Sequence, residues 1–129
     1  MTTPSEPTHY DQVGGEAGVR RLVTRFYDLM DSSPEAVHVR ALHATTLKVA
    51  RKKLFLFLSG WLGGPPLYTD RYGPPMLRAR HLPFKIAERE RDEWLWCMEK
   101  ALGEHAMPLE LREYLLQRVR ALADHMINQ

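Results

Sequence analysis

The amino-acid sequence predicts an all-α fold, and three observations support it. Apolar residues recur at three-and-four spacing in four separate stretches, no stretch alternates apolar and polar with period two, and the Gly and Pro clusters fall between the periodic stretches. A chain of 129 residues is the length of one domain with one core. Its 44% hydrophobic and 26% charged residues are those of an ordinary globular protein. The formal charge of +2 creates no global field that would draw the chain to nucleic acid or to an anionic membrane.

Residues 1–9 are rich in Pro, Thr and Ser and read as a flexible arm, which leaves 10–129 as the single folded domain. The first strong helix follows GGEAG at 14–18, with Val19, Leu22, Val23, Phe26, Tyr27 and Met30 on its apolar face. Residues 31–36, with Ser32, Ser33 and Pro34 in succession, break it. A second helix is expected from about Thr46 to Leu62, with Ala50, Leu54, Phe57 and Trp61 on one face, and GGPP at 63–66 ends it. A loop with Tyr68 and Tyr72 leads to the short turn LRARH at 77–81, stopped by Pro83 because the residue before a proline is pushed out of the helical region. The third helix covers roughly Glu88–Leu102 and carries Trp94, Leu95, Met98, Ala101 and Leu102. Pro108 opens the fourth, whose stripe is Leu111, Leu115, Val119, Leu122 and Met126. One feature departs from a plain bundle. The connection from Gly63 to Ile86 exceeds twenty residues, where bundle connections run to about 2–8, and loops of that length are usually functional.

Several chemistries are excluded by absence. Cys97 is the only cysteine, so there is no internal disulfide and no CxxC site. A lone thiol suits a reducing compartment, and its place between Trp96 and Met98 suits packing. The first ten residues lack a basic start and an apolar run, and LFLFL at 54–58 is too short to span a bilayer, so a cytoplasmic location is expected. There is no phosphate loop, GxSxG elbow, HExxH or calcium loop, and Ser59 beside Gly60 reads as a small residue at a helix end. His9 in the arm, His105 in a connection and His125 in a last helical turn read as solvent-facing or structural, and the five-residue separation of His38 and His43 does not pair them on one helical face.

His81 is different, because it lies in the long connection between a basic stripe and an apolar run. One protein imidazole suffices to ligate haem, whose porphyrin supplies the other four nitrogens. Leu77, Leu82, Phe84 and Ile86 offer apolar walls, and Arg78, Arg80 and Lys85 offer partners for propionates. Standing alone, the RARH stretch reads equally as a solvated basic turn. Tyr27 and Trp94 sit on apolar helical faces with an O–H and an N–H that need a partner when buried. That partner is either backbone or a bound, partly negative dioxygen.

With RFYDLM at 25–30, LFLFLSGWLGGPPLY at 54–68, MLRARHLPF at 76–84 and ERDEWLWCM at 90–98, the chain resembles the group II truncated haemoglobins over roughly Tyr10 to Met126. The resemblance implies a truncated globin, a two-over-two helical sandwich around haem b (iron protoporphyrin IX). By position, His81 matches the proximal iron ligand, Tyr27 the distal tyrosine and Trp94 the tryptophan typical of the group. Ala50 falls where longer globins place a distal histidine, Leu54 packs over the distal face, and Lys53 matches a basic residue near a propionate. Phe57, Leu77, Arg80 and Phe84 complete the expected haem contacts. The sequence departs from the family pattern at His43, placed where most globins press Phe or Tyr on the haem. Either it packs against backbone, or its ring near Tyr27 titrates close to about pH 6.5 and acts as a switch.

The implied ligands are oxygen, carbon monoxide and nitric oxide, with peroxide and an unidentified electron donor if redox chemistry occurs, and with a monomer or weak homodimer as the assembly. A dedicated haem peroxidase is the enzymatic alternative. A small helical module using Arg78 and Arg80 on nucleic acid is the non-haem alternative, supported only by a basic cluster without a docking motif.

Overall fold

The computed structural model describes residues 6–129, and every regular element among them is helical. Helix α1 spans His9–Val13, α2 Gly15–Ser32, α3 Val37–Ala41 (after a 3-10 turn at Pro34–Ala36), α4 Lys48–Trp61, α5 Leu67–Tyr72, α6 Leu77–His81, α7 Glu88–Glu104 and α8 Leu109–His125. The four long elements α2, α4, α7 and α8 are the four that periodicity predicts. They form two pairs, α2 with α4 and α7 with α8, and packing of α2 on α7 joins the pairs into a two-over-two arrangement.

The core sits where the pairs meet. Val19, Phe26 and Met30 of α2 are buried against Cys97, Met98 and Leu102 of α7, with Leu115 and Val119 of α8 behind them. Each such side chain contributes about 1.5–3 kcal/mol on full burial, which makes α2 and α7 the most firmly held parts of the molecule. Burial pushes the Cys97 thiol up to about 11, so this residue is inert packing. Arg112 tightens the α7–α8 joint by donating to the carbonyls of Leu102 and His105, at 3.1 and 2.7 Å.

Two expectations change. Of the arm expected over 1–9, residues 1–5 lie outside the described residues, while Thr8 caps α1 and His9 opens it. Thr8 and Asp11 form a reciprocal capping box, two bonds of 3.1 Å each. His9 leaves the expected arm and packs its ring 5.1 Å from that of Tyr114. Helix α1 is clipped to the end of α4 by the Tyr10 N–H donating to the Leu62 carbonyl at 2.8 Å. The Tyr10 ring fills the space beside Gly64 so fully that a Cβ there would lie 2.4 Å from it, which explains the second glycine of GGPP.

The second change concerns α4. Its deeply buried residues are Phe55, Leu58 and Ser59, while the predicted face of Ala50, Leu54, Phe57 and Trp61 is only half-buried. The run LFLFL is apolar at consecutive positions, so it supplies two faces. One enters the core, and the other packs against its edge. Ser59 donates its hydroxyl to the Pro65 carbonyl at 2.7 Å and ties down the turn after α4.

Candidate functional site

Helix α6 places His81 at its last position, and none of its five residues is buried. The Nδ1 of His81 lies 2.6 Å from the Leu77 carbonyl. A carbonyl only accepts, so Nδ1 carries the hydrogen and the neutral ring presents the lone pair of Nε2 outward, the tautomer a metal-ligating histidine requires. The surroundings of that nitrogen are apolar and accessible. Phe84 has its ring 6.4 Å from the imidazole and is 42% exposed, and Leu82 is 57% exposed. Two large apolar side chains exposed beside one imidazole make this a candidate binding site.

A second group of side chains is built on the core helices. Phe26 of α2 is fully buried and holds two polar aromatics edge-on, Tyr27 at 4.8 Å and Trp94 of α7 at 5.3 Å between ring centres. Neither the Tyr27 hydroxyl nor the Trp94 indole N–H has a hydrogen-bond partner among the described residues, so neither is a core aromatic satisfied by backbone. Burial raises the Tyr27 pKa, with the charge of Arg51 pulling weakly the other way, so its hydroxyl stays a donor.

His43, in the turn after α3, stands 6.0 Å and edge-on from Tyr27. Its Nδ1 donates to the Val39 carbonyl at 2.8 Å, which leaves Nε2 as an acceptor in the neutral ring. Burial lowers its pKa first of all, the Val39 bond opposes this, and the charges of Arg40 and His81 add to the lowering.

The half-buried face of α4 carries Ala50, its smallest side chain, followed by Leu54 and Phe57. Lys53 is exposed beside it, with Nζ 5.6 Å from the Tyr72 ring. The basic residues near His81 behave differently from expectation. Arg78 donates to the carbonyls of His125 and Ile127, both at 2.8 Å, and Arg80 donates to those of Pro75 and Tyr72 at 2.8 and 3.3 Å. Nη1 of Arg80, and Nε and Nη2 of Arg78, keep donors without a partner among the described residues. The remaining histidines stand apart from this space, His38 against Glu93 and His105 donating to the Val13 carbonyl at 2.7 Å.

Two residues of the site escape sequence reasoning. Glu93 caps α3, its Oε1 accepting from the N–H groups of His38 and Val39 at 2.7 and 3.0 Å, and so sets the carbonyl that holds His43. Asn128 binds the segment after His81 through four hydrogen bonds. Their partners lie 42 to 55 residues away in the chain, a separation that no local pattern signals.

Among the described residues no three His, Cys, Asp or Glu side chains converge as a metal site, and no helix is long and apolar enough to cross a membrane. The donor set fits one group well: a single fixed imidazole nitrogen beside exposed apolar side chains, and two aromatic donors without partners elsewhere on the molecule, suit haem.

Comparison with known proteins agrees. The bacterial-like globin family matches residues 8–128. The chain is 44% identical to the group II 2-on-2 haemoglobin of Agrobacterium tumefaciens, with a TM-score of 0.95 over 99% of each chain. It is 46% identical to the cold-adapted truncated haemoglobin of Pseudoalteromonas haloplanktis, with a TM-score of 0.93 over 95% of this chain and 99% of that one. To the truncated oxygen-avid haemoglobin of Bacillus subtilis it is 39% identical, with a TM-score of 0.85 over 95% of this chain and 100% of that one. This chain therefore belongs to the bacterial-like globins and, within them, to the group II truncated haemoglobins.

Proposed function

We propose that this globin holds haem b through Nε2 of His81 as its single protein ligand and binds oxygen on the side faced by Tyr27 and Trp94. The observation that carries the reading is the 2.6 Å bond from His81 Nδ1 to the Leu77 carbonyl, which fixes the ring with its other nitrogen available. When bound, haem supplies an iron that takes a diatomic gas and can exchange electrons with peroxide or nitric oxide.

The chain's own residues do the rest. Leu77, Leu82 and Phe84 exclude water from the His81 side, and Leu54 and Phe57 of α4 do so from the other. Ala50 leaves room for a ligand as large as oxygen, carbon monoxide or nitric oxide. Lys53 and the spare Nη1 of Arg80 are the cations suited to the two propionates. Tyr27 and Trp94 aim unpaired donors at a ligand that carries partial negative charge, which favours oxygen over the less polar carbon monoxide. The Bacillus subtilis relative is an oxygen-avid haemoglobin, and strong retention of oxygen is the behaviour proposed here too. The protein then acts as a cytoplasmic oxygen carrier, a monomer or weak homodimer, and any turnover of peroxide or nitric oxide draws on a separate electron donor.

The test is the absorption spectrum of the purified protein, ferric and ferrous, with and without oxygen or carbon monoxide, in wild type and His81→Gly. A haem spectrum in wild type that is lost or altered in His81→Gly and restored by added imidazole is the expected result. Full haem affinity and an unchanged ferrous spectrum in His81→Gly without imidazole would overturn the assignment.

A further inference from the structure

The His81 segment has few anchors of its own: Arg80 donates to the carbonyls of Pro75 and Tyr72, and Ile86 is buried at its end. Helix α6 has five residues and buries none of them, and the chain from Leu82 to Lys85 is exposed or half-exposed. An isolated turn of that length is far below what holds itself helical in water. The largest set of hydrogen bonds to the His81 segment from outside comes from the segment that follows α8. The N–H of Asn128 donates to the Ile86 carbonyl at 2.9 Å, and the Ile86 N–H donates back to Asn128 Oδ1 at 2.9 Å, so one residue satisfies both backbone groups of another. The Asn128 side-chain amide reaches further and donates to the carbonyls of Phe84 at 2.8 Å and His81 at 3.3 Å. From the opposite end of α6, Arg78 grips the same segment through the carbonyls of His125 and Ile127.

We propose that Asn128, locked in place by Arg78, is the positioning residue that sets where the imidazole of His81 stands. The inference rests on the reading of His81 as the haem ligand. An asparagine suits the task because one amide offers an acceptor and a two-hydrogen donor at once. Leucine or alanine there leaves the Ile86 N–H and the Phe84 and His81 carbonyls to water. Because the clasp touches the backbone of His81 and not its ring, its loss should move the imidazole without removing it.

The experiment compares haem-loaded wild type with Asn128→Ala, Asn128→Asp and Arg78→Leu by three readouts. These are haem transfer to an excess of haem-free acceptor globin, the iron–histidine stretching band of the ferrous protein, and amide exchange at Phe84 and Ile86. Asn128→Ala is expected to lose haem roughly five- to thirtyfold faster, to shift or broaden the band, and to expose the Ile86 amide. Arg78→Leu should move all three in the same direction. Asn128→Asp keeps an acceptor for Ile86 but no donor, so it should retain Ile86 protection while losing haem faster and shifting the band, a split that general destabilisation does not produce. Unchanged haem loss and an unchanged band in Asn128→Ala, alongside a His81→Gly variant that has lost the band, overturn the clasp alone. A wild-type band persisting in His81→Gly overturns the ligand assignment and the inference with it.

Discussion

The two sides of the candidate haem site are built by different physics. Tyr27 and Trp94 are anchored on long helices that cross the core, and α2 alone buries eight residues. His81 stands on a helix of five that buries none. The first side takes its rigidity from apolar packing, which is non-directional and shared among many neighbours. The second takes it from hydrogen bonds with Asn128 and from Arg78 to the carbonyls of His125 and Ile127, each worth about 1 kcal/mol net and each dependent on geometry. A site divided in this way keeps its polar donors fixed while its ligand-bearing segment remains adjustable by a few polar contacts.

The contrast is broken most directly at Phe26, the ring on which Tyr27 and Trp94 both rest. Phe26→Ala is expected to cost about 3–5 kcal/mol of stability, as a buried phenylalanine does. Phe84→Ala, at a residue 42% exposed, is expected to cost about 1 kcal/mol or less. Urea unfolding at equal haem content measures both, and equal losses would show that the His81 side is packed as tightly as the other.

Tyr27→Phe sharpens the comparison, because it removes a donor and leaves the packing. A hydrogen bond to a partly charged acceptor is worth roughly 1.5–3 kcal/mol, so oxygen should dissociate about ten- to a hundredfold faster, and Trp94→Phe should act in the same direction. Carbon monoxide should respond less. Since the Tyr27 hydroxyl has no partner among the described residues, stability should stay within about 0.5 kcal/mol of wild type. Equal acceleration for both gases would mean that these rings act by shape.

The packed side was the legible one. The three-and-four recurrence of Val19, Leu22, Val23, Phe26 and Met30 places Tyr27 on the inner face of α2 from sequence alone, and the same holds for Trp94 on α7. His81 was legible as a lone histidine amid apolar and basic neighbours. Its support was not, because Arg78 and Arg80 read as cations for a ligand, and nothing in the sequence shows that part of each guanidinium also holds backbone carbonyls. Backbone acceptors carry no sequence signature. Helix α1 escaped for another reason: it buries only Val13, too little for any periodicity. The inner face of α4 was misjudged because LFLFL satisfies two helical faces at once, and only the neighbours decide which one is core.

Glu93 tests whether the packed side also depends on polar supports. It caps α3 with a carboxylate that is 13% exposed, so Glu93→Ala should cost about 1 kcal/mol, as lost helix caps do. It should also loosen the Val39 carbonyl that orients His43. A loss of stability without any change in oxygen dissociation would confine Glu93 to the fold.

His43 gives the smallest effect and the finest test, since it belongs to the packed side yet titrates. The sequence places its switch near the ordinary imidazole value, but in the structure burial lowers that pKa, with the Val39 bond opposing and the nearby charge of Arg40 adding to the lowering. The unfolded chain therefore takes up the proton first as pH falls from the ordinary value of 6.5. More protons bound in the unfolded state means that stability rises with pH across that window. The contribution is complete above 6.5 and is lost as pH falls through the lowered value of the folded protein. His43→Phe removes the group, so its stability should change less between about pH 5 and pH 8 than that of wild type. The same shift governs the ligand. At neutral pH the ring donates only through Nδ1 to Val39, and Nε2 can accept from Tyr27 but offers no hydrogen to a bound gas. A step in oxygen dissociation present in wild type and missing in His43→Phe should thus lie below 6.5. A step at or above that value would mean that the ring is better solvated than its burial beside Tyr27 allows, and identical profiles in the two proteins would leave His43 a packing residue held by Val39.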